Sequence, residues 1–374
     1  MPDYIVYKAK ATLITPLHIG SGRSLLLSYD YVVHGGRTWR LNEDAILEAQ
    51  KVDDPKVMAQ LMESPPAQLL KPEDFREGSP FFRYVIRGMP RSQAEGAEVQ
   101  EQLKDPYDRP YLPGTSLKGA LRTALAWYAW GELGLRPERT RLNPNPRFAA
   151  LGYERTIFGP DPNHDLLRAL HVGDSEPVGK DRLILVNVRV INKTGTMGPP
   201  IELEAVAPET VFNFTVKLDL ALFSEWARQH NFKLRGEEWL KALPAIVNRH
   251  TAQRLEEERA WFKSVPGADR VLRFYTELNV PARGFILQVG WGTGWDDKTF
   301  GSRLRADPNF LEGILKPVKA GGYDIARGRR RPGDPFPKSR RVIVQAHRAP
   351  DGRILQEYPV APLGWMWVEW EEVQ

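Results

Sequence analysis

Residues 183–191 read LILVNVRVI, a run of β-branched and apolar side chains that suits a buried strand and no other regular element. Residues 4–17 (YIVYKAKATLITPL) alternate apolar and polar positions, so a strand with one solvated face is expected there, closed by Pro16. Residues 25–33 and 38–41 read as a strand pair turning at Gly35-Gly36. Strands are also expected at 201–206, 210–220, 271–278, 285–289, 341–346 and 365–370. Between them lie helical patterns. In residues 115–133, Leu117, Ala120, Leu121, Ala124, Leu125 and Tyr128 fall on one face, with Thr115 or Ser116 available as a cap and Gly134 as a stop. Residues 221–230 and 237–262 are helical too, the latter restarted at Pro244.

Strands and helices therefore mix without a regular βαβ repeat. That order points to an α+β chain of two ferredoxin-like domains with antiparallel sheets, residues 1–175 and 176–374. Residues 43–105 interrupt the pattern: thirteen acids against eight bases, with Pro65, Pro66 and Pro72, read as a mostly helical insertion.

Composition excludes several chemistries. The chain has no cysteine, which removes disulfides, thiolate catalysis and cysteine-held zinc. Its seven histidines show no H-x-x-x-H or H-E-x-x-H spacing, and the grouping of His164, Asp165, His171 and Asp174 lies in a loop-like stretch, so no metal or cofactor is expected. No run approaches the ~18 apolar residues of a membrane span, and MPDYIVYKAK lacks the apolar core of a signal peptide. A cytoplasmic protein without a membrane partner is the expectation. The net charge of +5 is unevenly spread: residues 316–341 carry nine Lys/Arg and two Asp. Such a segment fits a polyanionic partner, and equally fits a solvated loop.

Three glycine-containing loops carry the remaining signal. In residues 111–122 (YLPGTSLKGALR) a turn feeds a helix start, where free N–H groups and the macrodipole favour an anion. Lys118 and Arg122, four apart, share a face, and Gly119 admits a close backbone. The same residues would also suit a capped core helix with solvated cations. A Walker-type nucleotide site is absent. Residues 18–22 (HIGSG) could form an anion nest, with His18 either packed or an acid–base group. Residues 290–301 (GWGTGWDDKTFG) place Trp291 and Trp295 where they pack beneath the loop or stack on bases. Asp297 stands where a nucleotide loop would need glycine.

These loops, in this order, resemble the RAMP superfamily of CRISPR proteins. TPLHIGSG (15–22) is similar to that family's first-strand motif and YLPGTSLKGALR to its helix-start signature. IFGPDPNHDLLRALHVGD (157–174) resembles its F-G…L-x-V-x-D segment. VRVINKTGTMGPPIELEAVAPETVF (188–212) resembles its strand, thumb hairpin and return, and GWGTGWDDKTFG its C-terminal glycine loop. Length, insertion and the GWGTGW form are most similar to the filament-capping member of type III-A (Csm) complexes; type III-B (Cmr) subunits are the nearest alternative.

The resemblance implies a non-catalytic RNA-binding subunit whose partners are crRNA, target RNA and the neighbouring RAMP backbone subunits of the Csm complex, with host nucleases as further partners. By position, Gly114, Thr115, Ser116, Lys118 and Arg122 would hold guide phosphates, and His18, Gly20, Ser21 and Gly22 would line the same groove. Gly290, Gly292, Gly294 and Lys298 would form the second domain's counterpart. Asn192, Lys193, Thr194 and Met197 would belong to the thumb, although Asn192-Lys193 stands where relatives often have Asp-Arg. Arg327, Arg329 and Arg330 of the basic segment would add RNA contacts. Asp30 is the acid nearest to the position where backbone subunits cut target RNA. Its neighbours read as strand, and a nuclease acting on precursor or target RNA is the competing expectation. A protein adaptor working through residues 43–105 is the other.

Overall fold

The computed structural model describes residues 3–50, 55–232, 234–299, 301–325, 331, 333–350 and 353–373. Strands β1 (Tyr4–Leu13), β2 (Gly20–Leu26), β3 (Tyr31–His34) and β4 (Arg37–Leu41) are followed by helices α1 (Glu43–Glu48) and α2 (Pro55–Glu63). Then come β5 (Phe82–Arg87), β6 (Glu98–Gln102), α3 (Gly114–Glu132), α4 (Leu151–Phe158) and β7 (Leu170–Val172). The middle of the chain forms β8 (Leu183–Asn192), β9 (Met197–Val206), β10 (Val211–Asp219), α5 (Glu225–Gln229), α6 (Glu237–Lys241), α7 (Leu243–Phe262) and α8 (Asp269–Glu277). It ends with β11 (Phe285–Gln288), α9 (Gly301–Leu304), α10 (Pro308–Leu315), β12 (Ser339–Arg348), β13 (Ile354–Ala361) and β14 (Trp365–Glu372).

Two sheets organise the molecule. One has the order β11-β14-β1-β10-β7 and is antiparallel throughout. The other runs β2-β6-β9-β8-β5-β4-β3, with β12 on the second half of β8 and β13 beyond it. It is mixed, because β5 meets β8 and β6 meets β9 in parallel. Both sheets draw strands from both sides of residue 175. The alternation in β1 buries Ala9, Ala11 and Leu13, and α3 lays Leu117, Leu121 and Leu125 in the same core. A second core gathers Ile191, Leu255, Trp261, Val342 and Trp365 between α7, α8 and the sheets.

Three expectations change. Residues 271–278 lie in or beside helix α8 and form no strand. The buried Val271 and Tyr275 are four apart, a helical repeat hidden by the β-branched and aromatic composition. Residues 43–105 are helical only in their first half; β5 and β6 are strands of the large sheet, with Tyr84, Ile86 and Val99 buried. The expected strand at 25–33 is broken by a turn in which Ser28 has φ 70°. Among the described residues no helix is long and apolar enough to cross a membrane.

Candidate nucleic-acid interface

The three glycine loops, distant in sequence, meet in space. After β1 the chain bridges from Leu17 to Val206 and turns through His18, whose carbonyl accepts a hydrogen bond from Trp291 N at 2.8 Å. Gly290 makes this approach possible: its φ is +86°, and a Cβ there would sit 2.5 Å from the His18 carbonyl oxygen. The first turn of α3 closes the third side. The result is an open groove of about 600 Å3 lined by Gly20, Gly22, Thr115, Ser116, Gly290 and Lys298, with His18 and Trp291 at its base.

Two cations, Arg23 and Lys298, line the groove and Arg341 lies beside it over Trp291, while the two acids of the lining are engaged elsewhere, Glu101 by Ser21 and Asp297 by Arg254. Arg23, Lys298 and Arg341 are exposed, and none has a carboxylate partner among the described residues. The Arg341 guanidinium lies 4.9 Å over the Trp291 ring. Burial, and secondly the charge of Arg341, lower the Lys298 pKa. Unpaired cations set close together are a natural match for an anion placed between them.

The helix start is partly occupied by the protein itself. Gly114 N–H donates to the Asp174 carboxylate at 2.8 Å, and a Cβ at 114 would lie 2.1 Å from the Val172 carbonyl oxygen. Neither Thr115 nor Ser116 caps the helix through its side chain; Pro113 holds the cap position. Arg122 pairs with Asp165 at 2.9 Å and more loosely with Glu154 at 3.7 Å, and stacks 3.8 Å from the Phe158 ring centroid. It braces α3 against α4. Lys118 instead faces a second groove of about 660 Å3, shared with Thr115, Gly119 and Arg168. Burial lowers its pKa, against the pull of Asp165. Thr115 and Gly119 line both grooves, which therefore join across the first turns of α3.

His18 is a fixed support. It is 2% exposed, its Nδ1 donates to the Glu204 carbonyl at 2.6 Å, and burial lowers its pKa. Beneath it the Glu204 carboxylate accepts from Tyr84 OH at 2.8 Å, Gln102 N at 3.1 Å and Lys104 Nζ at 2.5 Å. Ser21 donates to Glu101 at 2.8 Å. The C-terminal loop is anchored by buried ion pairs. Asp297 meets Arg254 at 3.1 Å, Asp296 meets Arg305 at 3.1 Å, and Glu258 joins Arg254 at 2.9 Å to Arg340 at 2.8 Å. Gly292 and Gly294 both have positive φ within that loop.

The remaining sequence candidates lie elsewhere. Asn192 Oδ1 accepts from Thr194 N, Thr194 OH and Thr196 N, so it shapes the β8–β9 hairpin tip. Lys193 and Thr194 are exposed at that tip, while Met197 packs on the second core and Gly195 abuts Pro266. Asp30 lies in a turn, contrary to the strand reading. Its carboxylate is held by Leu26 N at 2.9 Å and Arg40 at 3.1 Å. His164 pairs with Asp161 and Asp174 with Gly114, and no metal-binding group of acids and histidines occurs among the described residues. Arg327, Arg329 and Arg330 lie outside the described residues. Arg23 and Arg341 were missed as site residues. Both stand beside recognised features, a glycine loop and a strand, but only the fold shows that Arg23 lines the groove and that Arg341 lies beside it over Trp291.

The RAMP superfamily profile matches residues 10–295. The CRISPR system Cms protein Csm5 of Mycobacterium tuberculosis is 26% identical over 321 residues, covering 76% of this chain and 80% of that protein. Csm5 of Streptococcus thermophilus is 32% identical over 135 residues, 34% of this chain and only 36% of that relative's length. Among solved structures, a chain of the cryo-EM Csm–crRNA–target RNA ternary complex of a type III-A CRISPR-Cas system superposes with a TM-score of 0.70. It is 22% identical, over 97% of this chain and 100% of that one.

Proposed function

The chain belongs to the RAMP superfamily, and from that premise we propose that it is a non-catalytic, crRNA-binding structural subunit of a type III-A Csm ribonucleoprotein. In that role it caps the filament of backbone subunits near the 3′ part of the guide and supports crRNA maturation. Its partners are crRNA and target RNA, both named for the complex that it superposes on, and adjoining RAMP subunits.

One observation carries the reading: three loops from residues 18–23, 114–119 and 290–298 converge on a single groove whose lining cations Arg23 and Lys298, with Arg341 beside them over Trp291, lack protein counter-charges among the described residues. Phosphates would supply those charges. Contacts to backbone alone suit a subunit that must accept every guide sequence, while base pairing within the guide supplies specificity. The groove residues Gly20, Gly22, Thr115, Ser116, Gly290 and Lys298 form the contact set, Lys118 extends it into the second groove, and Lys193 and Thr194 present the hairpin tip. His18, Ser21, Asn192 and Arg122 shape or brace these surfaces.

The nuclease reading has less support, since the Asp30 carboxylate is tied to Arg40 and His18 is buried against Glu204. The test is to purify the tagged chain from cells that carry a CRISPR array and sequence what accompanies it. Small RNAs of uniform 5′ end are expected. Recovery of the protein free of RNA, or metal-dependent cleavage of labelled repeat RNA lost in Asp30→Ala, would contradict the proposal.

A further inference from the structure

An apolar cavity of about 200 Å3 lies beside the grooves, between α3, α4 and the segment from Trp295 to Ile325. Its lining holds two half-buried aromatic rings, Trp295 and Tyr323, beside the buried Tyr153, Phe158, Leu304 and Ile314. The Trp295 ring is held in place, since Phe336 meets it edge-on at 4.7 Å and a Cβ on Gly301 would collide with it at 2.3 Å. The Tyr153 hydroxyl is already satisfied by Glu138 N at 2.5 Å and the Arg136 carbonyl at 3.0 Å. The rim is shared with the grooves: Thr123 and Lys298 also line the first, Arg122 and Glu154 the second. Small residues Gly119, Thr123 and Ala126 on successive turns of α3 keep the approach open.

We infer that this cavity receives one unstacked nucleobase of the bound RNA while the flanking phosphates stay in the grooves. The inference rests on the RNA-binding reading above. A half-buried ring such as Trp295 or Tyr323 gains from stacking on any base and does not select among them. The rim decides between a base and a protein side chain. Lys298, which has no carboxylate partner among the described residues, lines both the cavity and the first groove, which favours an occupant attached to an anionic backbone. Glu154 at the same rim can accept from an exocyclic amino group.

The test uses the full chain and single-stranded RNA in which every uridine is 4-thiouridine. Irradiation is expected to attach RNA to peptides containing Trp295 or Tyr323. Two variants fill the cavity from opposite walls, Ala150→Phe and Ile325→Trp, so one that fails to fold does not end the experiment. Each folded variant should lose those adducts and bind RNA roughly tenfold more weakly, the scale of one lost base–aromatic stack. The salt dependence should not change, because no phosphate contact is removed. Abasic ribose-phosphate oligomers should bind the parent and the variants equally. Adducts confined to groove residues, with filled variants binding as the parent does, would overturn the inference and leave the RNA-binding reading standing. Loss of binding to a neighbouring subunit at unchanged RNA affinity would overturn it in favour of a protein side chain. A parent chain that binds no RNA would overturn both.

Discussion

The Arg122 guanidinium sits 2.9 Å from Asp165 and 3.8 Å from the Phe158 ring, so its removal should affect the fold before it affects RNA. Arg122→Ala is expected to lower unfolding free energy by about 1–2 kcal/mol, the scale of a half-buried pair with a cation–π contact. The salt slope of RNA binding should stay as in the parent; a flatter slope would make Arg122 a phosphate ligand after all. His250 offers a second test at this scale. Burial, with Arg254 as the next cause, pushes its pKa down from 6.5 to about 3. The folded protein thus holds a neutral imidazole that the unfolded chain protonates below 6.5. The contribution of this group to stability is full above that pH and falls progressively as the pH drops toward 3. Urea unfolding at pH 5.5 should show the parent losing about 1 kcal/mol more, relative to pH 7.5, than His250→Gln loses. Equal losses would mean that the imidazole is not held neutral. Residue type and spacing singled out the glycines and His18 as candidates in the sequence, and the family resemblance added Lys298. They could not show that Arg122 and Asp30 have internal partners, because Asp165 and Arg40 reach them only through the fold.

At the scale of elements, α3 depends on two glycines that do different work. Gly114 lies against the Val172 carbonyl with no room for a methyl group, whereas a Cβ at Gly119 meets nothing within 4 Å. Gly114→Ala should destabilise by roughly 1–3 kcal/mol through overpacking. Gly119→Ala should stabilise the helix by up to about 1 kcal/mol while placing a methyl where both grooves meet. Thermal unfolding of the two variants checks this; shifts of the same sign would contradict it. The helix itself was legible because its apolar face, Leu117 to Tyr128, repeats over about three turns. Helix α8 was not, because Val271, Phe274 and Tyr275 carry strand-like composition on a helical repeat. Nor were β5 and β6: they are short strands set among prolines and acids, and their alternation is clear only once Tyr84 and Val99 are seen to be buried.

Over the whole molecule, the mixed α+β architecture and the order of the three loops could be read along the chain. The interleaving of the sheets could not, since β1 pairs with β10 on one side and with β14 on the other. That pairing brings the loop after β1 beside the loop after β11, and a groove with unneutralised cations results. The account stands on those cations meeting RNA phosphates. The most direct measurement is the affinity of the full chain for several unrelated single-stranded RNAs over a salt series, beside Lys298→Ala/Arg341→Ala. The account predicts similar affinities for all sequences, a steep loss with salt, and a slope lower by about 0.7 for each phosphate contact removed. A double variant with the slope of the parent, or a parent chain that binds one sequence and ignores the others, would contradict it.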